Sequence, residues 1–164
     1  MQQLRPGYTT WHITFGTYGS RPHGGFRATV DKTHNERGEP FIRENEARES
    51  SARGRMKFQP IILTIEQRTF IEATIPGITE RGGWILRTCA ADPDHVHVVL
   101  DVVPSVHGEK VRRLIKRWLG QAIGEQWPLP RGASWWAEEG SNKPIHDVEY
   151  LNNAYDYVFG QRAS

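Results

Sequence analysis

The chain has 164 residues and a formal charge of +2, from 21 Lys and Arg against 19 Asp and Glu, and 37% of its residues are hydrophobic. This suits one domain around a single core, and no apolar run approaches the roughly 20 residues that a membrane-spanning helix needs. Met1 to Pro6 lacks the apolar centre of a signal peptide. One cysteine, Cys89, excludes an internal disulfide and any multi-cysteine zinc or iron–sulfur site, so a cytoplasmic protein is expected. A charge this near zero gives no warrant for nucleic-acid binding, although 16 of the 21 basic residues are Arg, the type suited to bidentate phosphate contacts.

Thr9 to Tyr18 alternates, with Trp11, Ile13 and Phe15 on one face and Thr10, His12, Thr14 and Gly16 on the other, which predicts a half-buried first strand. From Gly19 to about Pro60 the pattern dissolves into Gly, Pro, Asn, Arg and Glu; a surface insertion over about 19–60 is expected, within a single domain spanning 1–164. Thr64-Ile65-Glu66-Gln67 forms a capping box, and Phe70, Ile71, Thr74 and Ile75 recur at helical steps until Pro76-Gly77, where the helix should bend or end. Trp84 to Ala91 and His95 to Val103 read as strands joined by the turn Asp92-Pro93-Asp94, a β-hairpin. A second helix is expected from Glu109 to Gln126, its apolar stripe running from Val111 to Ile123. Ser134 to Glu138 reads as a short strand, Gly140 to Pro144 as a flexible joint, and a last helix should run from an Asp147 N-cap to near Gln161. This order predicts an α+β fold: a ferredoxin-like antiparallel sheet with helices on one face, plus a C-terminal helix.

The sharpest local signal is Asp94-His95-Val96-His97-Val98-Val99-Leu100. Side chains alternate along a strand, so His95 and His97 share one face, where two imidazoles can hold a divalent metal. The bland alternative is a pair of hydrogen-bonded histidines on a sheet edge. The flanking strands are the most apolar in the chain, which places the pair centrally, where buried polar groups need partners. In the last helix, Val148, Leu151, Tyr155, Val158 and Phe159 read as the core stripe, while Tyr150, Ala154, Tyr157 and Gln161 fall on another face. A phenol and an amide one turn apart can present a nucleophile and a metal ligand to one site, though helical tyrosines mostly pack. Arg112, Arg113, Lys116 and Arg117 gather beside the stripe of the second helix, as a phosphate platform or simply a solvated flank. His12 can approach the pair if its strand neighbours theirs; otherwise it is a hydrogen-bonded sheet residue. Of Trp135 and Trp136, alternation allows one to stack on unpaired bases and sends the other to the core. Cys89 reads as a buried small hydrophobe.

The His-hydrophobic-His strand combined with Tyr157-Val158-Phe159-Gly160-Gln161 resembles the single-tyrosine HUH transposases, of the insertion-sequence and REP-associated kind. The likeness takes in the Trp11-His12-Ile13-Thr14 strand and the basic helix as well; the 19–60 insertion is longer than the family's minimal pattern. The resemblance implies a ferredoxin-like palm with His95 and His97 as metal ligands, Gln161 as the third ligand and Tyr157 as the nucleophile. It also implies a magnesium or manganese ion and cleavage of single-stranded DNA beside a hairpin, leaving a 5′-phosphotyrosine and a free 3′-OH. It places the protein at the nucleoid, as a monomer or as a homodimer whose tyrosines act in trans. The residues support this chemistry independently: a bound cation polarises a phosphodiester, and a tyrosine with a reference pKa near 10 needs such activation. No Gly-x-x-x-x-Gly-Lys phosphate loop is present, in keeping with strand rejoining that needs no ATP. Two other readings stay open: a non-catalytic hairpin-binding regulator derived from such an enzyme, and a small metallohydrolase that uses the His pair without Tyr157.

Overall fold

The computed structural model describes residues 1–20 and 57–163, so most of the insertion expected over 19–60 lies outside the described residues. The elements follow the expected order: β1 (Thr9–Thr17), α1 (Ile65–Gly82), β2 (Ile85–Ala91), β3 (His95–Val102), α2 (Gly108–Gln126), β4 (Trp136–Ile145) and α3 (Val148–Gly160). The four strands form one antiparallel sheet in the order β2-β3-β1-β4, which puts β3 and its histidines inside the sheet.

Alternation along the strands builds two cores. Trp11, Ile13 and Phe15 of β1, Cys89 and Ala91 of β2, and Val96, Val98, Leu100 and Val102 of β3 pack with Ile71, Ile75 and Ile78 of α1 and Val111, Ile115, Leu119 and Ile123 of α2. On the opposite face Ala90, Val99 and Ile145 meet Leu151, Ala154 and Val158 of α3. The second core is small because that face of β1 and β3 also carries His12, Thr14, His95, His97 and Asp101, all on the register rows that alternate with the first core.

Helix α1 begins with the Thr64–Gln67 capping box and ends at Gly83, whose φ of 76° is the left-handed conformation glycine adopts without cost. It continues through Pro76 rather than ending there. Proline cannot donate to the carbonyl of residue 72, and the Cys89 thiol points its Sγ to that Glu72 carbonyl at 3.8 Å.

Two expectations in the last third of the chain need correction. Gly140 to Pro144 is not a joint but the middle of β4, paired with β1 from Phe15↔Gly140 to Trp11↔Pro144. β4 is an edge strand, and an edge tolerates a proline that cannot donate to a ladder. In α3 the sheet-facing arc is Leu151, Ala154 and Val158 with Tyr150 and Tyr157 packed alongside. Tyr155 and Phe159, both expected in the core, instead stack on each other, and Phe159 is 57% exposed. An i,i+4 aromatic pair can bury its own faces against each other.

Candidate active site

His95 and His97 project from β3 onto the face that α3 covers. They are 5% and 0% exposed, and their rings stack with centroids 6.4 Å apart. The β2–β3 turn places two carboxylates beside them. Asp92 Oδ1 accepts the backbone N–H of His95 at 2.7 Å and of Asp94 at 3.3 Å, while its Oδ2 lies 3.3 Å from His97 Nε2. Asp94 Oδ1 lies 2.9 Å from His95 Nδ1. Burial alone would push the Asp92 carboxyl up, but its hydrogen bond to His97 and the charges of both histidines hold it below the ordinary value.

β1 joins the site from the side. Thr14 Oγ1 sits between His97 Nδ1 and His12 Nε2, 3.3 Å from each, so a hydrogen-bonded row runs His12, Thr14, His97, Asp92. Burial, then the neighbouring His97 and Lys143, lowers the His12 pKa to about 3, so this imidazole stays neutral in the row.

α3 brings Tyr157 onto the same histidine. Its ring meets His97 edge-on, with centroids 5.7 Å apart and planes at 87°. Burial, then the Asp92 charge, raises the phenol above its usual value. Gln161 caps α3 one turn later, and its carbonyl accepts Arg68 Nη2 at 3.4 Å. The fold therefore gathers His95, His97 and Tyr157, and anchors Gln161 through its backbone.

Asp92, Asp94 and His95 each offer one donor atom, all within 4.8 Å of one another. His97 lies beside this group, its Nε2 3.3 Å from Asp92 Oδ2. Imidazole nitrogen mixed with carboxylate oxygen suits a hard-to-borderline divalent ion such as Mn²⁺ or Mg²⁺. Gly16 lies opposite His95 on β1, and a Cβ there would reach 3.3 Å from His95 Nε2 and collide with the Ser20 side chain. Glycine at this position lets the Ser20 side chain sit where a Cβ would be, beside the imidazole, and the donor set fits a divalent cation. The two aspartates were legible in the sequence only as turn formers; an Asp-Pro-Asp run directly before a His pair was the available signal.

No protein-family profile and no curated protein matches the sequence. Among solved structures, a candidate transposase from Deinococcus radiodurans R1 superposes with a TM-score of 0.52 and 12% identity over 100% of both chains. The chain has a transposase-like fold. A REP-associated tyrosine transposase bound to a REP hairpin aligns with a TM-score of 0.48 and 14% identity, over 97% of this chain and 71% of that one.

The basic cluster of α2 divides in two. Arg112 Nη1 donates to Asn142 Oδ1, and Lys116 Nζ donates to the carbonyls of Ala137 at 2.7 Å and Glu138 at 3.0 Å, so both side chains brace β4. Arg113 and Arg117 are exposed. Neither tryptophan is presented for base stacking. Trp135 and Trp136 are each 7% exposed, Trp136 against Phe15 with its Nε1 donating to the Lys116 carbonyl at 2.9 Å. Cys89 is 1% exposed, and burial pushes its thiol up to about 11, as befits an inert core residue.

Proposed function

We propose that the protein is a metal-dependent single-stranded DNA endonuclease and strand transferase, a transposase that acts next to DNA hairpins through a 5′-phosphotyrosine. The observation that carries this reading is the contact of Tyr157 with His97 in one chain, beside a turn that supplies two carboxylates. An edge-on tyrosine in a merely structural core has no need of buried imidazoles and aspartates around it.

In this reading His95, His97 and Asp92 hold the ion, with the Gln161 amide one turn beyond the nucleophile as a further ligand. A bound Mg²⁺ or Mn²⁺ supplies positive charge that polarises the scissile phosphate. Tyr157 Oη attacks phosphorus, the bond to the 3′ oxygen breaks, the phenolic proton leaves, and the departing oxygen ends as a 3′-OH. One ester replaces another, so attack by a second 3′-OH reverses the step on a new strand without a nucleotide cofactor. His12 and Thr14 hold the His97 ring in place from behind. Arg113 and Arg117 meet the phosphates of the hairpin, while Arg112 and Lys116 keep β4 beneath them. Tyr157 meets the His97 of its own chain, and in this reading the site is completed in cis.

The exposed Arg113 and Arg117 also suit a second reading, a hairpin-binding regulator without cleavage. One assay separates the two. Incubation with hairpin-containing single-stranded DNA and Mn²⁺ gives a covalent adduct that Tyr157→Phe abolishes if the first reading holds. Salt-sensitive binding with no adduct in any divalent metal supports the second.

A further inference from the structure

Two residues one turn apart on α1 hold backbone from both halves of the site. Glu72 is 4% exposed, and its Oε2 accepts the N–H of Ala91 at 2.9 Å and of Ala163 at 2.8 Å. Arg68 donates from Nε to the Ala91 carbonyl at 2.6 Å and from Nη2 to the Gln161 carbonyl at 3.4 Å. Ala91 is the last residue of β2 and directly precedes Asp92; Gln161 and Ala163 lie just past the end of α3. Both backbone polar groups of Ala91, at the edge of the turn, and two residues just past the α3 terminus are thus gripped from a single turn of α1.

Burying a carboxylate is costly unless its oxygens are satisfied. Here Oε2 takes two N–H groups, whereas Oε1 is buried without a hydrogen bond, with Arg162 Nη2 4.0 Å away. Arg162 itself donates from Nη1 to the Cys89 carbonyl at 3.0 Å, adding a further tie between the α3 terminus and β2. An apolar side chain at position 72 would serve the α1–β2 packing without a buried charge. What it could not do is join Ala91 to Ala163.

We propose that Glu72, together with Arg68, is a positioning residue that fixes α3, and with it Tyr157, against the strand carrying His95 and His97. The proposal rests on the reading of Tyr157 as the nucleophile. Neither residue is catalytic; each acts through backbone groups that lead into the Asp92 turn and out of the tyrosine helix. The opposite end of α3 is tied separately, by Gln2 N–H to Asn152 Oδ1 at 2.8 Å and Asn152 Nδ2 to the Gln2 carbonyl at 3.1 Å. Loss of the clamp therefore frees the Tyr157 end of the helix while its start stays docked.

The test compares the full chain with Glu72→Ala, Glu72→Gln and Arg68→Ala, using one readout that needs no chemistry. The edge-on Tyr157 ring displaces the His97 imidazole proton resonances, and Tyr157→Ala defines their position without it. In Glu72→Ala these resonances move toward the Tyr157→Ala position and exchange of the Ala163 amide quickens by about tenfold or more. Adduct formation slows by about 10²-fold, the cost of a misplaced reacting group, while the hairpin Kd stays within about twofold. Glu72→Gln keeps an oxygen that accepts both N–H groups, and restores all three. Arg68→Ala shows the same direction with Glu72 intact, which covers a failure of Glu72→Ala to fold. His97 resonances unmoved in Glu72→Ala and Arg68→Ala overturn the proposal. If the resonances move but the wild-type chain never forms an adduct, the clamp stands and the nucleophile reading fails.

Discussion

Tyr157 stands edge-on to His97, with ring centroids 5.7 Å apart, because α3 packs on the one sheet face whose polar rows carry the histidines. The same packing puts the Asp92 charge within reach of the phenol, while the β2–β3 turn holds Asp92 Oδ2 3.3 Å from His97 Nε2.

That geometry makes Asp92 more than a turn residue. His95→Ala and His97→Ala should each weaken Mn²⁺ binding by at least about tenfold, and Asp92→Asn by about 10–100-fold, as for groups that hold or orient a metal ligand. Isothermal titration of Mn²⁺ into each variant measures this. Wild-type affinity in Asp92→Asn would reduce that carboxylate to its backbone role at His95 and Asp94.

His12 sets a pH dependence of stability. Its folded pKa of about 3 lies below the ordinary 6.5, so below pH 6.5 the unfolded chain binds a proton that the folded chain refuses. Stability therefore falls as pH drops from about 6.5 toward 3, and is not affected by this group above that window. Between pH 7.5 and 5 the loss is about 2 kcal/mol. Urea denaturation at the two pH values, in wild type and His12→Gln, should show the variant losing less by about that amount; equal losses would mean that His12 is not held neutral.

The divided basic face predicts two classes of variant. Arg113→Ala and Arg117→Ala should each weaken hairpin binding and reduce the slope of log K against log salt by about 0.7–0.9 per lost phosphate contact. Arg112→Ala and Lys116→Ala remove braces on β4 and should lower the melting temperature. Anisotropy titrations over a salt series, beside thermal melts, distinguish the classes; a salt slope unchanged in Arg113→Ala and Arg117→Ala would place the DNA elsewhere.

Asp101 is a heavily partnered buried charge on the α3 face. It is 0% exposed and receives Arg87 Nε at 2.8 Å, Thr10 Oγ1 at 2.7 Å and Arg5 Nε at 3.0 Å. Burial alone would raise its carboxyl, but these donors hold it below the ordinary value. Asp101→Asn leaves the Arg87 guanidinium, whose side chain is 8% exposed, without its countercharge, and should cost about 3 kcal/mol in chemical denaturation. A cost under about 1 kcal/mol would show that water reaches Arg87.

Much of this site was legible because it obeys local rules. Alternation fixed His95 and His97 to one face, the Thr64 box fixed the start of α1, and Asp147 fixed the start of α3. The residues missed depend on pairings that no local pattern carries. Whether His12 joins the histidines depends on β1 lying next to β3; Gly140 to Pro144 reads as a joint until β1 supplies its partner. The stripe of α3 was misjudged at Tyr155 because its mate is Phe159 on the same helix rather than the sheet. Glu72 looks like an ordinary solvated helix position, and only the meeting of β2 with the α3 terminus gives it work.

The chemistry assigned to Tyr157 is tested by asking which DNA fragment becomes attached to the protein. A hairpin-bearing single strand labelled at its 5′ or its 3′ end is incubated with Mn²⁺, and the denatured protein is examined for label. Attack by Tyr157 with loss of the 3′ oxygen transfers the 3′-end label to the protein, at the peptide containing Tyr157, and releases the 5′-labelled fragment with a free 3′-OH. Label from the 5′ end on the protein, attachment at another residue such as Tyr150, or an undiminished adduct in Tyr157→Phe would overturn the assignment.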